Sequence, residues 1–217
     1  MADFKSFVDD IAVVDIKLTT ADGTTKSIVP QVLGMYLQED VQTPYMFAEI
    51  DMGDGIGLLQ SLPIRGEEVI DITLEVPSTK AKLKYKFWVF AVSNVSASSK
   101  NNTNFYKLRC VSEEVMVNAS RLSQKGYKAS FDTIVKDIVT TGLSSNKKID
   151  SVATLGVHQW VIPNLKPFVA IDTIRRRAAS TAYPYSPMLF FETQDGFVFK
   201  DIVSLYESGV NEGKSDK

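Results

Sequence analysis

Ile70-Asp71-Ile72-Thr73-Leu74-Glu75-Val76 and, a short turn later, Lys82-Leu83-Lys84-Tyr85-Lys86-Phe87-Trp88-Val89-Phe90-Ala91-Val92 decide the fold class. In the first run every even position is apolar and every odd one polar, the period of a strand with one buried and one wet face. The second changes along its length. Lysines alternate with Leu83, Tyr85 and Phe87, and then Trp88 to Val92 is apolar on both faces. Such a strand starts at an exposed edge and ends with neighbours on both sides. Working outward, Tyr106, Leu108 and Cys110 alternate with Lys107 and Arg109. Toward the amino terminus, strands are predicted at Tyr45–Met52, at Val32–Glu39, and in a hairpin of Val13–Leu18 and Thr24–Val29 about the turn Ala21-Asp22-Gly23. About seven strands thus precede residue 112, enough for an antiparallel barrel or sandwich, so residues 1–112 are read as one domain.

Beyond residue 112 the period becomes helical. Phe131, Ile134, Val135, Ile138 and Val139 recur at helical spacing, with Ser130 as the N-cap and Gly142 as the stop. Strands are expected near Ile149–Thr154 and His158–Ile162. A second helix is expected from Pro167, placing Phe168, Ile171, Ile174 and Ala178 on one face. Ser186–Phe199 reads as a closing hairpin turning at Asp195-Gly196. Residues 113–206 are therefore read as a small α+β domain, and 207–217 as a flexible polar tail. The fold class is α+β and β-rich.

The chain has 217 residues, 44% of them hydrophobic, which suits a folded globular protein. Its amino terminus lacks the pattern of a secretory signal, and its longest apolar run is far short of the roughly 20 residues of a membrane helix. A soluble chain is expected. The single cysteine excludes an internal disulfide and suits a reducing compartment. The sequons at Asn94, Asn101 and Asn118 therefore carry little meaning. Net charge is only -2, yet residues 1–80 hold 14 acidic and 5 basic side chains, and residues 81–217 hold 12 and 19. Solvated faces explain such a split, as do complementarity between subunits and an acidic wall in the first part.

No residue set supports covalent, metal or acid/base chemistry, and no cofactor is expected. His158, the only histidine, shares a strand face with Trp160 and Ile162 and reads as a half-buried structural residue. Cys110 reads as a small buried hydrophobe, a Cys110–His158 hydrolase dyad being the competing reading. Gly53-Asp54-Gly55-Ile56-Gly57 lacks the Gly-Lys-Ser/Thr of a phosphate loop, and Asp51 and Asp54 lack calcium-loop spacing. Glu67-Glu68 and Glu113-Glu114, taken as strand neighbours pointing to opposite faces, read as surface charge. Arg175-Arg176-Arg177 fans around a helix and suits salt bridges within or between subunits better than a nucleic-acid track.

Leu62-Pro63-Ile64-Arg65-Gly66-Glu67-Glu68-Val69, the stretch from Val161-Ile162-Pro163-Asn164-Leu165-Lys166-Pro167-Phe168 to Ser180, and Ser186-Pro187-Met188-Leu189-Phe190-Phe191-Glu192-Thr193 to Phe199 together resemble the baseplate hub protein of T4-like contractile-tailed bacteriophages. The resemblance covers residues 10–206. It implies a tube-type β-barrel over 1–112 and an outer α+β domain over 113–206, in a hub whose three chains form a ring between tail tube and central spike. No region remains for the family's second barrel, so a shortened hub or a fragment is expected. Implied partners are the chain itself as a homotrimer, the central spike, tail tube proteins and other baseplate proteins. Genomic DNA would pass without specific binding, in a virion tail baseplate assembled in the host cytoplasm. A tail-tube initiator or adaptor protein, hexameric instead, is the alternative. Ring-forming barrels pair strand edges with neighbours, which makes Ile70, Ile72, Leu74, Trp88, Val89 and Phe90 candidates for the subunit interface. Asp51 and Asp54 are candidates for an acidic lumen that repels phosphates.

Overall fold

The computed structural model describes residues 11–61, 64, 66–97 and 103–212. In chain order they form β1 (Ala12–Thr19), β2 (Thr25–Ser27), a 3-10 turn (Val29–Gln31), β3 (Val32–Gln38), β4 (Phe47–Asp54), α1 (Leu58–Ser61), β5 (Val69–Val76), β6 (Ala81–Ala97) and β7 (Asn104–Val111). Then come α2 (Glu113–Ser120), β8 (Ser123–Ala129), α3 (Phe131–Asp137), a π turn (Ile138–Gly142), β9 (Ile149–Ser151), β10 (His158–Leu165), α4 (Pro167–Arg175), β11 (Met188–Thr193), β12 (Gly196–Asp201) and α5 (Ile202–Glu212). The chain divides into two compact units. One comprises residues 1–38 and 47–113. The other comprises 39–46 and 114–217, so the β3–β4 loop, which the sequence places in the first domain, groups with the second unit.

Unit 1 is a single antiparallel sheet in the order β2-β1-β5-β6-β7-β4-β3. Its length comes from β6, whose residues Ala81–Trp88 pair with β5 while Trp88–Ala97 pair with β7. A register shift between Val89 and Ala91 marks a bulge at Phe90 where the strand changes partners, and bulges bend and twist a strand. The 3-10 turn touches both β1 and β4, strands far apart in the sheet order, so the sheet is curled. It is a half-barrel, open between the edge strands β2 and β3. Alternation puts Ile16, Leu18, Ala48, Ile50, Met52, Ile70, Ile72, Phe87, Val89, Leu108 and Cys110 on the inner face, all nearly or wholly buried.

Unit 2 packs α3, its π turn and α4 against the sheet β11-β12-β9 and the ribbon β10-β8. Its core joins Phe131, Ile134, Ile138, Ile162, Ile171, Ile174, Phe190, Phe197 and Phe199. Ser130 was expected to cap α3, but its hydroxyl bonds the Thr133 hydroxyl at 3.0 Å, and the free Asp132 N–H goes instead to Thr154 Oγ1 at 3.1 Å. Likewise Asn118 Oδ1 of α2 accepts the first donor of α4, the Phe168 N–H, at 2.9 Å. The helix expected to stop at Gly142 loosens into the π turn because Thr140 and Thr141 hydroxyls donate back to the carbonyls of Lys136 and Asp137.

The flexible tail expected from 207 is helical as far as Glu212; residues 213–217 lie outside the described ones. Asp201 explains the helix. Its carboxylate, fully buried, accepts the Ser204 N–H at 2.9 Å and the Ser204 hydroxyl at 2.6 Å, the geometry of a cap. Burial opposes that carboxylate's ionisation, but the Ser204 hydrogen bonds outweigh it and hold its pKa below the usual value.

The closing hairpin forms, but its turn is Gln194-Asp195, one residue earlier than the Asp195-Gly196 read from the sequence, and Gly196 opens β12 opposite Thr193, where glycine is required. Its φ is +133°, and a Cβ added to it would stand 2.3 Å from the Lys148 carbonyl oxygen. Gly196→Ala is expected to destabilise unit 2 by at least about 2 kcal/mol, measured by urea unfolding, whereas Gly126→Ala, with open space around it, should cost little.

Candidate functional site

The outer face of the unit 1 sheet carries charge in matched pairs. Across the ladder Asp71 faces Lys17 on one side and Lys86 on the other, and Glu75 faces Lys82. Glu49 faces Arg109, and Asp51 faces Lys107. The contacts close in the second group, Lys107 Nζ lying 2.8 Å from Glu49 and 3.5 Å from Asp51, with Arg109 Nε 3.1 Å from Glu49. The Lys107 hydrogen bond is the main reason the Glu49 carboxyl is held below its ordinary range. Opposite charges facing each other across strands stabilise a sheet by a few tenths of a kcal/mol to about 1 kcal/mol each. Part of the charge split along the sequence is thus met within the sheet, where acidic β4 closes on basic β7.

Asp51 and Asp54 do not form one acidic wall. An odd separation on β4 sends them to opposite faces. Asp51 lies on the outer face beside Lys107, and Asp54 is buried, where its carboxylate accepts the N–H groups of Ile56 at 3.2 Å and Leu59 at 3.1 Å and so anchors α1. The interface candidates also divide. Ile70, Ile72, Leu74 and Val89 are 0–6% exposed. A side chain with no surface left in its own chain has none to bury against a neighbour, so these four belong to the core. Trp88 is half-buried on the outer face, and Phe90, displaced by the bulge, is 41% exposed.

Two charges read as surface are buried. Glu68 is 1% exposed, and its carboxylate accepts the N–H groups of Gly66 at 2.8 Å and Glu67 at 3.2 Å. Glu114, in the first turn of α2 and not on a strand, is 4% exposed and forms the polar centre of unit 2. Lys147 Nζ lies 2.7 Å from Glu114 Oε2 and also donates to Glu192, a wholly buried side chain of β11. The spare oxygens are used as well. Ser145 Oγ donates to Glu114 at 2.6 Å, and the Met46 N–H to Glu192 at 3.1 Å. Four segments distant in sequence meet there: the 39–46 loop, α2, the loop after the π turn, and β11. No sequence motif signals the node, because its members are ordinary residues far apart in the chain.

His158 is stacked on Phe131 at 4.1 Å with Nε2 2.9 Å from the Leu155 carbonyl oxygen. Cys110 is wholly buried, and burial pushes its thiol up to about 12, which leaves no thiolate near neutral pH. The two residues belong to different units. The arginine run is spent inside the chain: Arg175 and Arg176 both bind Asp172, at 2.6 and 2.7 Å, and Arg177 stacks over Trp160 at 4.9 Å. Among the described residues no cluster of three His, Cys, Asp or Glu side chains could hold a metal, and no helix is long and apolar enough to cross a membrane.

This combination, a curled antiparallel sheet with a small α+β unit, is a known fold. No family model matches the sequence, and no curated protein matches it. Among solved structures, the tail protein from Neisseria meningitidis MC58 is similar with a TM-score of 0.54 at 8% identity, over 87% of this chain and 51% of that one. The 43 kDa tail protein of prophage MuSo2 from Shewanella oneidensis gives a TM-score of 0.51 at 10% identity, over 86% of this chain and 54% of that one. The chain spans about half the length of these proteins. It has the fold of these solved tail proteins.

Two outcomes follow from the buried groups. Thiol reagents at neutral pH should leave Cys110 unmodified until denaturant is added. Lys147→Met, which strands two buried carboxylates, should cost on the order of 3 kcal/mol by urea unfolding. Burial alone would push the Lys147 ammonium down, but Glu192 and Glu114 outweigh it and raise its pKa. On the alkaline side its contribution is therefore complete below the ordinary lysine value of 10.5 and disappears as pH rises through the raised one, so above neutrality the gap between wild type and Lys147→Met should persist until strong alkali.

Proposed function

We propose that the chain is a structural subunit of a phage tail baseplate hub, part of a ring that joins the tail tube to the central spike. The observation that carries this reading is the likeness in fold to two tail proteins, one of them from a prophage, over most of the chain. The residues support it from another direction. The one thiol is inert, the one imidazole is stacked, and several of the charges are taken up in cross-strand pairs and a buried node. Such a molecule works by surface and shape. Its partners on this reading are further copies of itself, the spike, the tube and neighbouring baseplate proteins, with genomic DNA passing through the ring.

Native mass measurement of the chain, alone and mixed with the central spike protein of the same tail, tests the proposal. Three copies on one spike trimer are expected. Six copies that ignore the spike would instead identify a tube initiator, and a chain that binds neither itself nor the spike would contradict both.

A further inference from the structure

Within unit 2, α4 and the 39–46 loop enclose a cleft of about 290 Å³. Helical spacing sets one wall, because Phe168, Asp172 and Arg175 follow one another at i, i+4 and i+7 and so share a face of α4. Phe190 of β11 adds a second wall, and Gln42 and Pro44 of the loop close the other side. The loop is fixed at both ends. Glu39 Oε1 accepts the Gln194 N–H at 3.1 Å, and the Met46 N–H donates to Glu192 at 3.1 Å. Between these anchors Asp40 Oδ1 accepts the Gln42 N–H at 2.8 Å. A cleft held in this way needs little ordering when it is filled.

Size and lining narrow what fits. About 290 Å³ is at the lower end for a ligand site, room for one large side chain rather than an extended molecule. Two walls are aromatic: the rings of Phe168 and Phe190 are tilted by 51° at 6.5 Å, and Tyr45 lies 6.4 Å from Phe168. A further ring packs well against such faces and edges. The rim is apolar at Val169, which is 50% exposed. The polar end is cationic. Asp172 receives Arg175 on Oδ1 at 2.6 Å and Arg176 on Oδ2 at 2.7 Å, so two guanidinium groups share one carboxylate and a positive charge is left over. Arg175 lines the cleft, Arg176 is exposed beside it, and the acidic Glu39 and Asp40 of the loop are not among the lining residues.

We infer that this cleft docks an acidic segment of a partner protein, which seats one aromatic side chain against Phe168 and Phe190 and lays a neighbouring carboxylate on Arg175 and Arg176. The Arg175 fork has more N–H groups than its bonds to Asp172 and the Met188 carbonyl use, and guanidinium groups pair with carboxylates through short, charge-assisted hydrogen bonds. An aromatic anchor buried in a pocket beside an arginine is the usual make-up of a binding hot spot. The site stands apart from the ring reading proposed above. It asks only for a partner segment of this chemistry, and its test needs no other tail component.

The test titrates the isotope-labelled full chain with the peptide acetyl-Glu-Phe-Glu-amide and follows backbone amide shifts by NMR. Shifts are expected at Gln42, Val169, Asp172 and Phe190, with an affinity about tenfold or more above that for acetyl-Lys-Phe-Lys-amide and for acetyl-Glu-Ala-Glu-amide. Val169→Glu puts a negative charge on the rim, in the first turn of α4 where a carboxylate suits the helix, and should weaken the acidic peptide by about tenfold or more. Arg176→Gln should weaken it by about threefold or more. Tyr185→Lys, at a fully exposed tyrosine outside the cleft, should leave it unchanged. Folding of each variant is checked by circular dichroism. Equal binding of the basic peptide or of the alanine peptide overturns the inference, as does binding that survives Val169→Glu. Amides that do not move at millimolar concentrations of the acidic peptide overturn it too.

Discussion

One strand has to belong to two halves of a sheet at once, and unit 1 is arranged around that constraint. β6 gives its first half to β5 and its second to β7, and the bulge at Phe90 lies at the change of partner. A straight strand of that length would hold a flat sheet with long open edges. The bend lets the sheet curl, so that one inner face collects Ile16, Ile50, Ile72, Phe87 and Leu108 into a single core. The same division leaves the first half of β6 with a strand partner on one side only, and lysines occupy that part. The strands at the far ends of the sheet order are its edges, one short and one apolar.

Unit 2 solves a different problem. Its elements are short, and a segment interrupting unit 1 must be held within it. Lys147 does so electrostatically, bridging Glu114 and Glu192 while Ser145 and the Met46 backbone take the spare carboxylate oxygens. A buried ion pair is a poor source of net stability compared with apolar packing, but losing one member of it is expensive. Such a node favours one arrangement of four segments over its alternatives more than it deepens the well.

Much of this was legible in the sequence, and the failures have physical causes. Strict alternation revealed β5, β6 and β7, and the Phe131–Val139 spacing revealed α3, because one face of each is buried by a continuous core. β8 escaped because Ser123-Gln124-Lys125-Gly126-Tyr127-Lys128-Ala129 lies in a two-stranded ribbon with little to bury. α2 escaped because its anchor is Glu114, a charge where an apolar residue is the usual signal. The burial of Glu68, Glu114 and Glu192 follows from partners that only the folded chain brings near. The placing of Asp51 and Asp54 on opposite faces, by contrast, was implicit in their odd spacing on a strand. Interface residues were sought where the sequence is most apolar, yet that is where a chain builds its own core.

An electron cryo-microscopy reconstruction of the assembled tail tip tests the structural-subunit role most directly. Density for the seven-stranded half-barrel should encircle the tail axis at the junction of tube and spike. A tail tip in which that junction is built without this chain, or in which its half-barrel stands away from the axis, would contradict it.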